Sequence, residues 1–124
     1  MTDKLPVSHN QRSSFPDQLN EVVDAAQEKN ADNLVVLDLR QCESFTDFFV
    51  ICSGRSPRQV TAIVESIEAR LKLTGDRPTH VEGYRLANWV LIDHFDFIVH
   101  VFTPETRDFY SLEKLWGNAV RVEL

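Results

Sequence analysis

The cysteines and histidines are the side chains best suited to act as nucleophiles, general bases or metal ligands, and their spacing favours none of these roles. Cys42 and Cys52 match neither the C-x-x-C spacing of a zinc site nor a disulfide framework. Cys52 lies in an apolar stretch, which favours a structural thiol over a reactive thiolate. The histidines are spread over the chain, at His9, His80, His94 and His100. They have no H-x-x-x-H or H-E-x-x-H spacing, so the sequence predicts neither a bound metal nor a cofactor.

The segment 53–56 is a candidate anion site, because it lies between a predicted buried strand and a predicted helix, where backbone N–H groups can bind phosphate. Its spacing matches neither G-x-G-x-x-G nor the P-loop, which favours a plain turn and helix cap over phosphate binding. A divalent metal would need paired carboxylates such as D-x-D on a strand, and the predicted strands lack that pair. Asp93 and Asp96 instead flank a predicted turn. The residues therefore predict no catalytic site.

Aromatic and polar side chains crowd the last third of the chain. They are Trp89, Asp93, His100, Phe102, Glu105, Phe109, Tyr110 and Trp116. On a terminal helix, Phe109, Leu112 and Trp116 would form one apolar stripe, and Tyr110 and Glu113 would point away from it towards a partner. Interfaces favour such aromatic anchors surrounded by polar groups. The alternative is that every aromatic ring fills the core, and the residues alone leave both interpretations open.

The composition is that of one soluble globular domain with an acidic surface. The chain has 124 residues, 43% of them hydrophobic, and a net charge of -6. A chain of this length can bury a sizeable core without disulfides or metals. The acidic balance argues against sequence-specific binding of nucleic acid and favours a basic partner. No apolar stretch resembles a signal peptide or is long enough to span a membrane, so a cytoplasmic location is expected.

Hydrophobic spacing divides the chain into a tail and a single domain. Residues 1–16 contain two prolines and three serines and are expected to form a flexible tail before a domain at 17–124. Apolar residues three and four apart predict a helix over 17–30. Nearly continuous apolar runs at 34–39 and 48–52 predict strands buried on both faces.

The remaining elements follow from caps, breakers and further apolar runs. Ser56 and Pro57 predict the start of a second helix, which Gly75 should end. A short edge strand is expected at 79–83, and strands at 89–93 and 97–102 should form a hairpin.

The register of the predicted hairpin depends on its turn. A two-residue turn at His94 and Phe95 would place Trp89 opposite His100, with Asp93 on the same face. Phe95 suits such a turn poorly, since tight hairpin turns prefer Gly or Asn. A one-residue slip of the register or a longer loop is therefore the alternative.

A terminal helix and the order of the elements complete the predicted fold. Thr103 and Pro104 should open a terminal helix that Gly117 closes. Strands interleaved with helices and followed by a hairpin predict an α/β fold, a single domain with a mixed, roughly five-stranded β-sheet flanked by helices. The second helix is the expected crossover between parallel strands.

Six segments match, in order and spacing, the motifs of one known family. They are VLDL at 36–39, SFTDFFVICSG at 44–54, HVEG at 80–83, WVLID at 89–93, DFIVHVF at 96–102 and FYSLEKLWG at 109–117. Over residues 20–121 the chain therefore resembles the ribosomal silencing factor family, RsfS or Iojap. The resemblance implies a fold similar to that of nucleotidyltransferases without their catalytic carboxylates, in a protein that is not an enzyme.

The resemblance also implies a partner and a mechanism. Family members bind ribosomal protein fourteen of the large subunit at the face that meets the small subunit, and so block subunit joining and repress translation under nutrient limitation. Carried over by position, Trp89 and Tyr110 match family positions of the ribosomal contact. Five nearby residues are further candidates, namely Asp93, Asp96, His100, Glu105 and Leu112. Relatives commonly have glycine where this chain has Phe95. A nucleotidyltransferase-like enzyme and a dimerisation or assembly module, including a homodimer of the free protein, are the alternatives.

Overall fold

A computed structural model describes residues 12–75 and 80–124 of the chain. The helices and strands within them are, in chain order, α1 (Asp17–Glu28), β1 (Asp32–Asp38), β2 (Phe48–Ser53), α2 (Pro57–Leu73), β3 (His80–Glu82), β4 (Trp89–His94), β5 (Phe97–Phe102), α3 (Pro104–Tyr110), α4 (Leu112–Leu115) and β6 (Val120–Glu123).

A mixed sheet joins these strands in the order β3-β4-β5-β2-β1-β6. β2 and β5 at its centre are parallel, and the other neighbouring pairs are antiparallel. The chain passes from β2 to β5 through α2, which confirms the predicted crossover helix. The predicted α/β class with a mixed sheet is also confirmed, and the described part of the chain contains six strands in place of roughly five. The missed strand is β6, because four residues with one buried side chain give little periodic signal.

The first face of the sheet is covered by α1 and α2. Each helix turns an apolar stripe towards the sheet, as the spacing of its hydrophobic residues predicts. Ser56 caps α2 by accepting a hydrogen bond from the backbone N–H of Gln59. Gly75 follows the end of α2 with a left-handed φ of 86°. The second helix therefore begins and ends where the sequence predicts.

The second face of the sheet is covered by the C-terminal segment, residues 103–119. The buried sheet residues on this face include Phe49, Ile51 and Ile98, and Leu112 of the segment packs against them. Along β4, side chains on the first face are buried, whereas those on the second face remain partly exposed. The cover of the second face is therefore thinner at β4 than at the centre of the sheet.

The prediction of one terminal helix is wrong, because the segment forms two short helices, α3 and α4. They are separated at Ser111, which has a left-handed φ of 48°. Leu112 and Trp116 pack on the second-face core, but Phe109, predicted to share their stripe, is exposed. Glu113, predicted to point towards a partner, is partly buried. The break thus changes which side chains of the segment face solvent.

The side chains of the β4–β5 hairpin lie on the predicted faces of the sheet, but the predicted register of the hairpin is wrong. Its turn consists of Phe95 and Asp96, and Trp89 lies opposite Phe102 instead of His100. The register differs by two residues, and side chains alternate with a period of 2, so each stays on its predicted face. Neither turn residue is among the non-glycine residues of positive φ in the described chain. Glycine or asparagine is therefore not required in this turn.

The tail predicted for residues 1–16 lies mostly outside the described residues. Phe15, near its end, is buried and packs edge-on against Phe48, with ring centroids 5.4 Å apart. Arg12 donates hydrogen bonds to side chains of α1. These contacts add residues 12–16 to the packed domain.

The strand predicted at 79–83 is present as β3 at an edge of the sheet, with residue 79 outside the described residues. None of the described helices has the length and apolar character needed to cross a bilayer.

Candidate functional site

An aromatic cluster lies on the second face of the sheet, where β4 and β5 meet the C-terminal segment. The aromatic cluster consists of Trp89, His100, Phe102 and Tyr110. The Trp89 ring stacks on Phe102 with centroids 5.1 Å apart, and its centroid lies 4.6 Å from that of Tyr110. Phe102 is fully buried, Trp89 is half-buried and Tyr110 is 47% exposed. The cluster therefore extends from the core to the surface, with Trp89 in the middle.

His100 holds the Trp89 ring from inside the protein. The indole N–H of Trp89 donates a hydrogen bond of 3.1 Å to Nδ1 of His100, which is 4% exposed. Burial lowers the pKa of His100 to about 4, so the ring is neutral at neutral pH and carries its proton on Nε2. Within the described chain Nε2 has no hydrogen-bond partner, and the His100 ring meets Phe49 edge-on at 4.7 Å. His100 thus lies beneath Trp89 and not at the surface.

The other predicted site residues lie around the cluster. Asp93 is half-buried on β4, four residues after Trp89 and therefore about 13 Å along the strand. Asp96 is exposed in the β4–β5 turn, further still from Trp89. Glu105 is exposed in the first turn of α3, and Leu112 packs half-buried on the second-face core. Among the predicted site residues, His100 and Tyr110 thus contact Trp89 in the aromatic cluster, whereas Asp96 lies apart from it.

Phe109 extends the exposed side of the aromatic cluster, although its spacing in the sequence predicts a core position. Its ring is 80% exposed and meets the Tyr110 ring edge-on, with centroids 5.0 Å apart. Leu115 on α4 is likewise exposed. The prediction placed both side chains on one unbroken helix, and Ser111 is a weak signal for a break because serine also occurs within helices.

A buried arginine ties the C-terminal segment to the centre of the sheet. Arg107 donates from Nε and Nη2 to the two carboxylate oxygens of Glu113, at 3.1 and 3.0 Å. Its Nη1 donates to Oγ of Ser53 at 3.0 Å, at the carboxyl end of β2. The Arg107 bonds hold the pKa of Glu113 below its usual range, and Arg121 lies 3.2 Å from the same carboxylate. This network fixes the course of the segment that carries Tyr110.

The segment 53–56 has the favoured structure of a turn and helix cap. Ser53 binds Arg107, and Ser56 caps α2. A polar cleft of about 840 Å³ borders this region, between β1, β6 and the C-terminal segment. Three cations line it, Arg107, Lys114 and Arg121, and so do three carboxylates, those of Asp108, Glu113 and Glu123. Arg107 and Arg121 are each paired with a glutamate. The cleft therefore has little uncompensated positive charge with which to bind an anion.

The candidate nucleophile Cys52 is a structural thiol, as predicted. It is fully buried, and burial raises the pKa of its thiol to about 12. Across residues 12–75 and 80–124, no three or more His, Cys, Asp or Glu side chains gather in a group able to hold a metal ion.

Together these features define a small mixed α/β domain with two long helices on one face of its sheet. The other face carries a segment with two short helices and a partly exposed aromatic cluster. The model of the family described as "Ribosomal silencing factor during starvation" matches residues 12–124. The chain belongs to this family, as its motifs predict.

Individual relatives agree with this assignment. The chain is 43% identical over 102 residues to ribosomal silencing factor RsfS of Halalkalibacterium halodurans, which covers 82% of this chain and 87% of that protein. It is 34% identical over 98 residues to the mouse protein "Mitochondrial assembly of ribosomal large subunit protein 1", covering 77% of this chain and 43% of the mouse protein. A crystal structure of a protein from Bacillus halodurans matches with a TM-score of 0.76 at 42% identity, over 86% of this chain and 96% of that one.

Proposed function

We propose that this protein represses translation by binding the large ribosomal subunit through ribosomal protein fourteen and preventing the small subunit from joining. Membership of the ribosomal silencing factor family supports a regulatory role, and the family description refers to starvation. For the large subunit, support comes from the mouse relative, whose name refers to its assembly. The protein acts in the cytoplasm by occupying space, without catalysing a reaction.

The state of Trp89 is the observation that supports the aromatic cluster as the binding surface. Its ring is fixed by the stack on Phe102 and the hydrogen bond to His100, yet part of it remains exposed. A ring held from inside loses little conformational freedom when a partner covers it. Tyr110 and Phe109 continue the aromatic surface outward. Tryptophan and tyrosine in such positions dominate the binding energy of many interfaces.

Charge favours a basic ribosomal protein over the RNA backbone as the direct partner. The chain carries a net charge of -6, which repels phosphate and attracts a basic surface. Asp93 on β4 and the exposed Glu105 and Asp108 on α3 add carboxylates to the elements that carry the aromatic cluster. Rim carboxylates of this kind mainly raise the association rate, whereas the buried rings supply the affinity.

Substitution of either exposed cluster ring tests the assignment. Trp89→Ala or Tyr110→Ala is expected to abolish co-sedimentation with purified large subunits at micromolar protein and moderate salt. Loss of a central interface aromatic costs about 2 kcal/mol or more, which is about thirty-fold in affinity. Tyr84→Ala is the matched control, because Tyr84 is exposed but binds Glu65 of α2, on the first-face side of the sheet. Each variant should retain a cooperative melting transition.

Separate outcomes would contradict separate parts of the proposal. Binding that survives both substitutions rejects the surface, and wild-type protein that stays in the supernatant rejects ribosome binding itself. The steric mechanism requires that excess protein slow the joining of ribosomal subunits, measured by light scattering. An unchanged joining rate would reject it. Light scattering of the free protein also tests for a homodimer, the alternative use of the same rings.

A further inference from the structure

The turn between β3 and β4, residues 83–88, contains two residues in the left-handed backbone conformation. Gly83 has a φ of 84° and Ala87 a φ of 57°. The backbone N–H of Ala87 donates a hydrogen bond of 3.0 Å to the carbonyl of Gly83, which closes the turn. Alanine is strained in this conformation, and the fold holds it there by burying the Ala87 side chain in the core of the first face. The turn is therefore a fixed piece of backbone directly before Trp89.

Gly83 lies against the backbone of Trp89. A Cβ atom at residue 83 would meet the carbonyl oxygen of Trp89, closer than side-chain carbons approach a backbone oxygen in folded proteins. It would also come within 3.2 Å of the carbonyl carbon of Trp89 and 3.5 Å of Cα of Val90. These are backbone atoms of β4, which cannot rotate away as the end of a flexible side chain can. The start of β4 therefore fits against the turn only because residue 83 has no side chain.

The same turn also fixes the start of α3. The carbonyl of Asn88, the last residue of the turn, accepts a hydrogen bond of 3.0 Å from the backbone N–H of Thr103. Thr103 is buried and directly precedes α3, the helix that ends at Tyr110. Trp89 and Tyr110, whose ring centroids lie 4.6 Å apart, are therefore both anchored to this turn.

A methyl group added at residue 83 would disturb this arrangement whichever strand moves. If β4 moves, the backbone of Trp89 moves with it. If β3 moves instead, the carbonyl of Gly83 leaves the N–H of Ala87, and the turn that leads into Trp89 opens. In both cases the Trp89 ring leaves the position in which it stacks on Phe102 and bonds to His100.

We propose that Gly83 is a positioning residue for the aromatic cluster, and that the turn it forms with Ala87 sets the relative placement of Trp89 and Tyr110 for the partner. The inference rests on the proposed function, because these rings are the ones proposed to bind the large subunit. Rings that are placed before binding lose less conformational entropy when a partner covers them. Gly83 acts through the backbone of Trp89 and needs no contact with the partner.

Gly75 provides the matched control. It has a left-handed φ of 86°, close to that of Gly83, and follows the end of α2. Within the described chain, a Cβ at residue 75 would have no atom within 4 Å. Gly75→Ala and Gly83→Ala both force alanine into the left-handed conformation, so both should lower the melting temperature. Only Gly83→Ala adds a contact with Trp89, and the difference between the variants isolates that contact.

The first test follows the indole N–H signals of the two tryptophans in a proton–nitrogen correlation spectrum of the free protein. The Trp89 indole donates to His100, so its signal reports the placement of the ring. Trp116, whose ring meets Phe49 edge-on, is the internal reference. Gly83→Ala should shift the Trp89 signal by more than that of Trp116, whereas Gly75→Ala should shift neither.

The second test measures binding to purified large subunits. Gly83→Ala is expected to bind about ten-fold more weakly than wild type, because a displaced central aromatic ring loses part of its contribution. Gly75→Ala should bind like wild type.

Ala87→Gly tests the same turn without adding atoms, and it decides the question if Gly83→Ala does not fold. Glycine adopts the left-handed conformation without strain but lacks the buried methyl group, so the two effects on stability oppose each other. The turn before Trp89 then has more conformations open to it. We expect a shifted Trp89 signal and about three-fold weaker binding to large subunits.

The outcomes separate this inference from the proposed function. An unchanged Trp89 signal in both turn variants overturns the inference. So does a Gly83→Ala variant that binds subunits like wild type. An equal loss of binding in Gly75→Ala also overturns it, because the effect would then come from stability alone. If wild-type protein does not bind subunits, the proposed function fails, and the Trp89 signal alone decides whether Gly83 places the ring.

Discussion

His100 acts on Trp89 through its protonation state. The indole N–H needs an acceptor, and Nδ1 accepts only while the His100 ring is neutral. Burial keeps the ring neutral, because a charged imidazolium would lose its hydration on the second face of the sheet. Protonation would place N–H against N–H and release the inner side of Trp89. The exposed ring of the aromatic cluster therefore depends on a side chain that a partner does not touch.

The folded protein should lose stability in acid because of His100. Its pKa is about 4 when folded, against an ordinary value of 6.5. Between these values the unfolded chain binds a proton that the folded chain does not. The free energy of unfolding therefore falls as the pH falls through this window, by at most about 3 kcal/mol.

Urea unfolding of wild type and His100→Phe across that pH window measures the contribution of His100. The variant should have the flatter dependence on pH, whatever its stability at neutral pH. His80→Ala is the control, since His80 is exposed on β3. Equal slopes for wild type and His100→Phe would show that another group binds the proton.

The sequence could predict that Trp89, Asp93 and His100 share one face of the sheet, but not how deeply each side chain is buried. Strand alternation is local, so Trp89, Asp93 and His100 are placed on one face even when the register is wrong by two residues. The burial of His100 depends on Phe49 and Trp89 from other strands. The exposure of Phe109 depends on the helix break at Ser111, which the spacing of apolar residues does not show.

At the scale of elements, the pair of Arg107 and Glu113 accounts for the division between α3 and α4. The two residues are six apart in sequence, which on a continuous helix would point their side chains about 120° apart. The left-handed Ser111 lets both oxygens of Glu113 reach the guanidinium. The spacing of apolar residues gives no information about this ion pair, so it predicts a single helix. By contrast, the start of α2 is set by Ser56 and Pro57, and such local signals are readable from sequence.

Removal of the Glu113 charge should loosen the C-terminal segment. Glu113→Gln leaves Arg107 buried with a neutral partner, which is expected to lower the free energy of unfolding by about 2 kcal/mol. Amide exchange in α3 and α4 should accelerate more than in α2. Binding to large subunits should also weaken, because Tyr110 loses its fixed position.

Glu105→Gln is the matched control for this change. Glu105 lies on the same segment, but it is exposed and has no ion pair within the described residues. Its substitution should alter stability by no more than about 0.5 kcal/mol. Equal effects of the two substitutions would contradict the role given to the Arg107 network.

At the scale of the molecule, the aromatic cluster and the exposed ring of Phe95 lie towards opposite ends of β4. Trp89 begins the strand and Phe95 follows it, so the rings are separated by about 20 Å along the sheet. The side chains between them on the second face are partly exposed. A partner that binds the aromatic cluster and extends along β4 would cover the thinly protected part of this face. Local sequence patterns predict the α/β class and the central strands of this fold. The positions of the exposed rings depend instead on the β4–β5 turn and the C-terminal segment.

Salt dependence of binding separates the contributions of charge and of rings at this scale. The affinity for large subunits should fall as salt rises, because a chain of net charge -6 is steered to a basic partner. Asp47→Asn/Asp96→Asn should slow association and reduce the dependence on salt, whereas Trp89→Ala should mainly accelerate dissociation and leave that dependence unchanged.

Asp17→Asn is the control, since Asp17 is exposed on α1, over the opposite face of the sheet. Association and dissociation rates on immobilised subunits over a salt series give both quantities. If Asp17→Asn reduces the salt dependence as much as Asp47→Asn/Asp96→Asn does, steering comes from the net charge alone, whatever the position of the carboxylates.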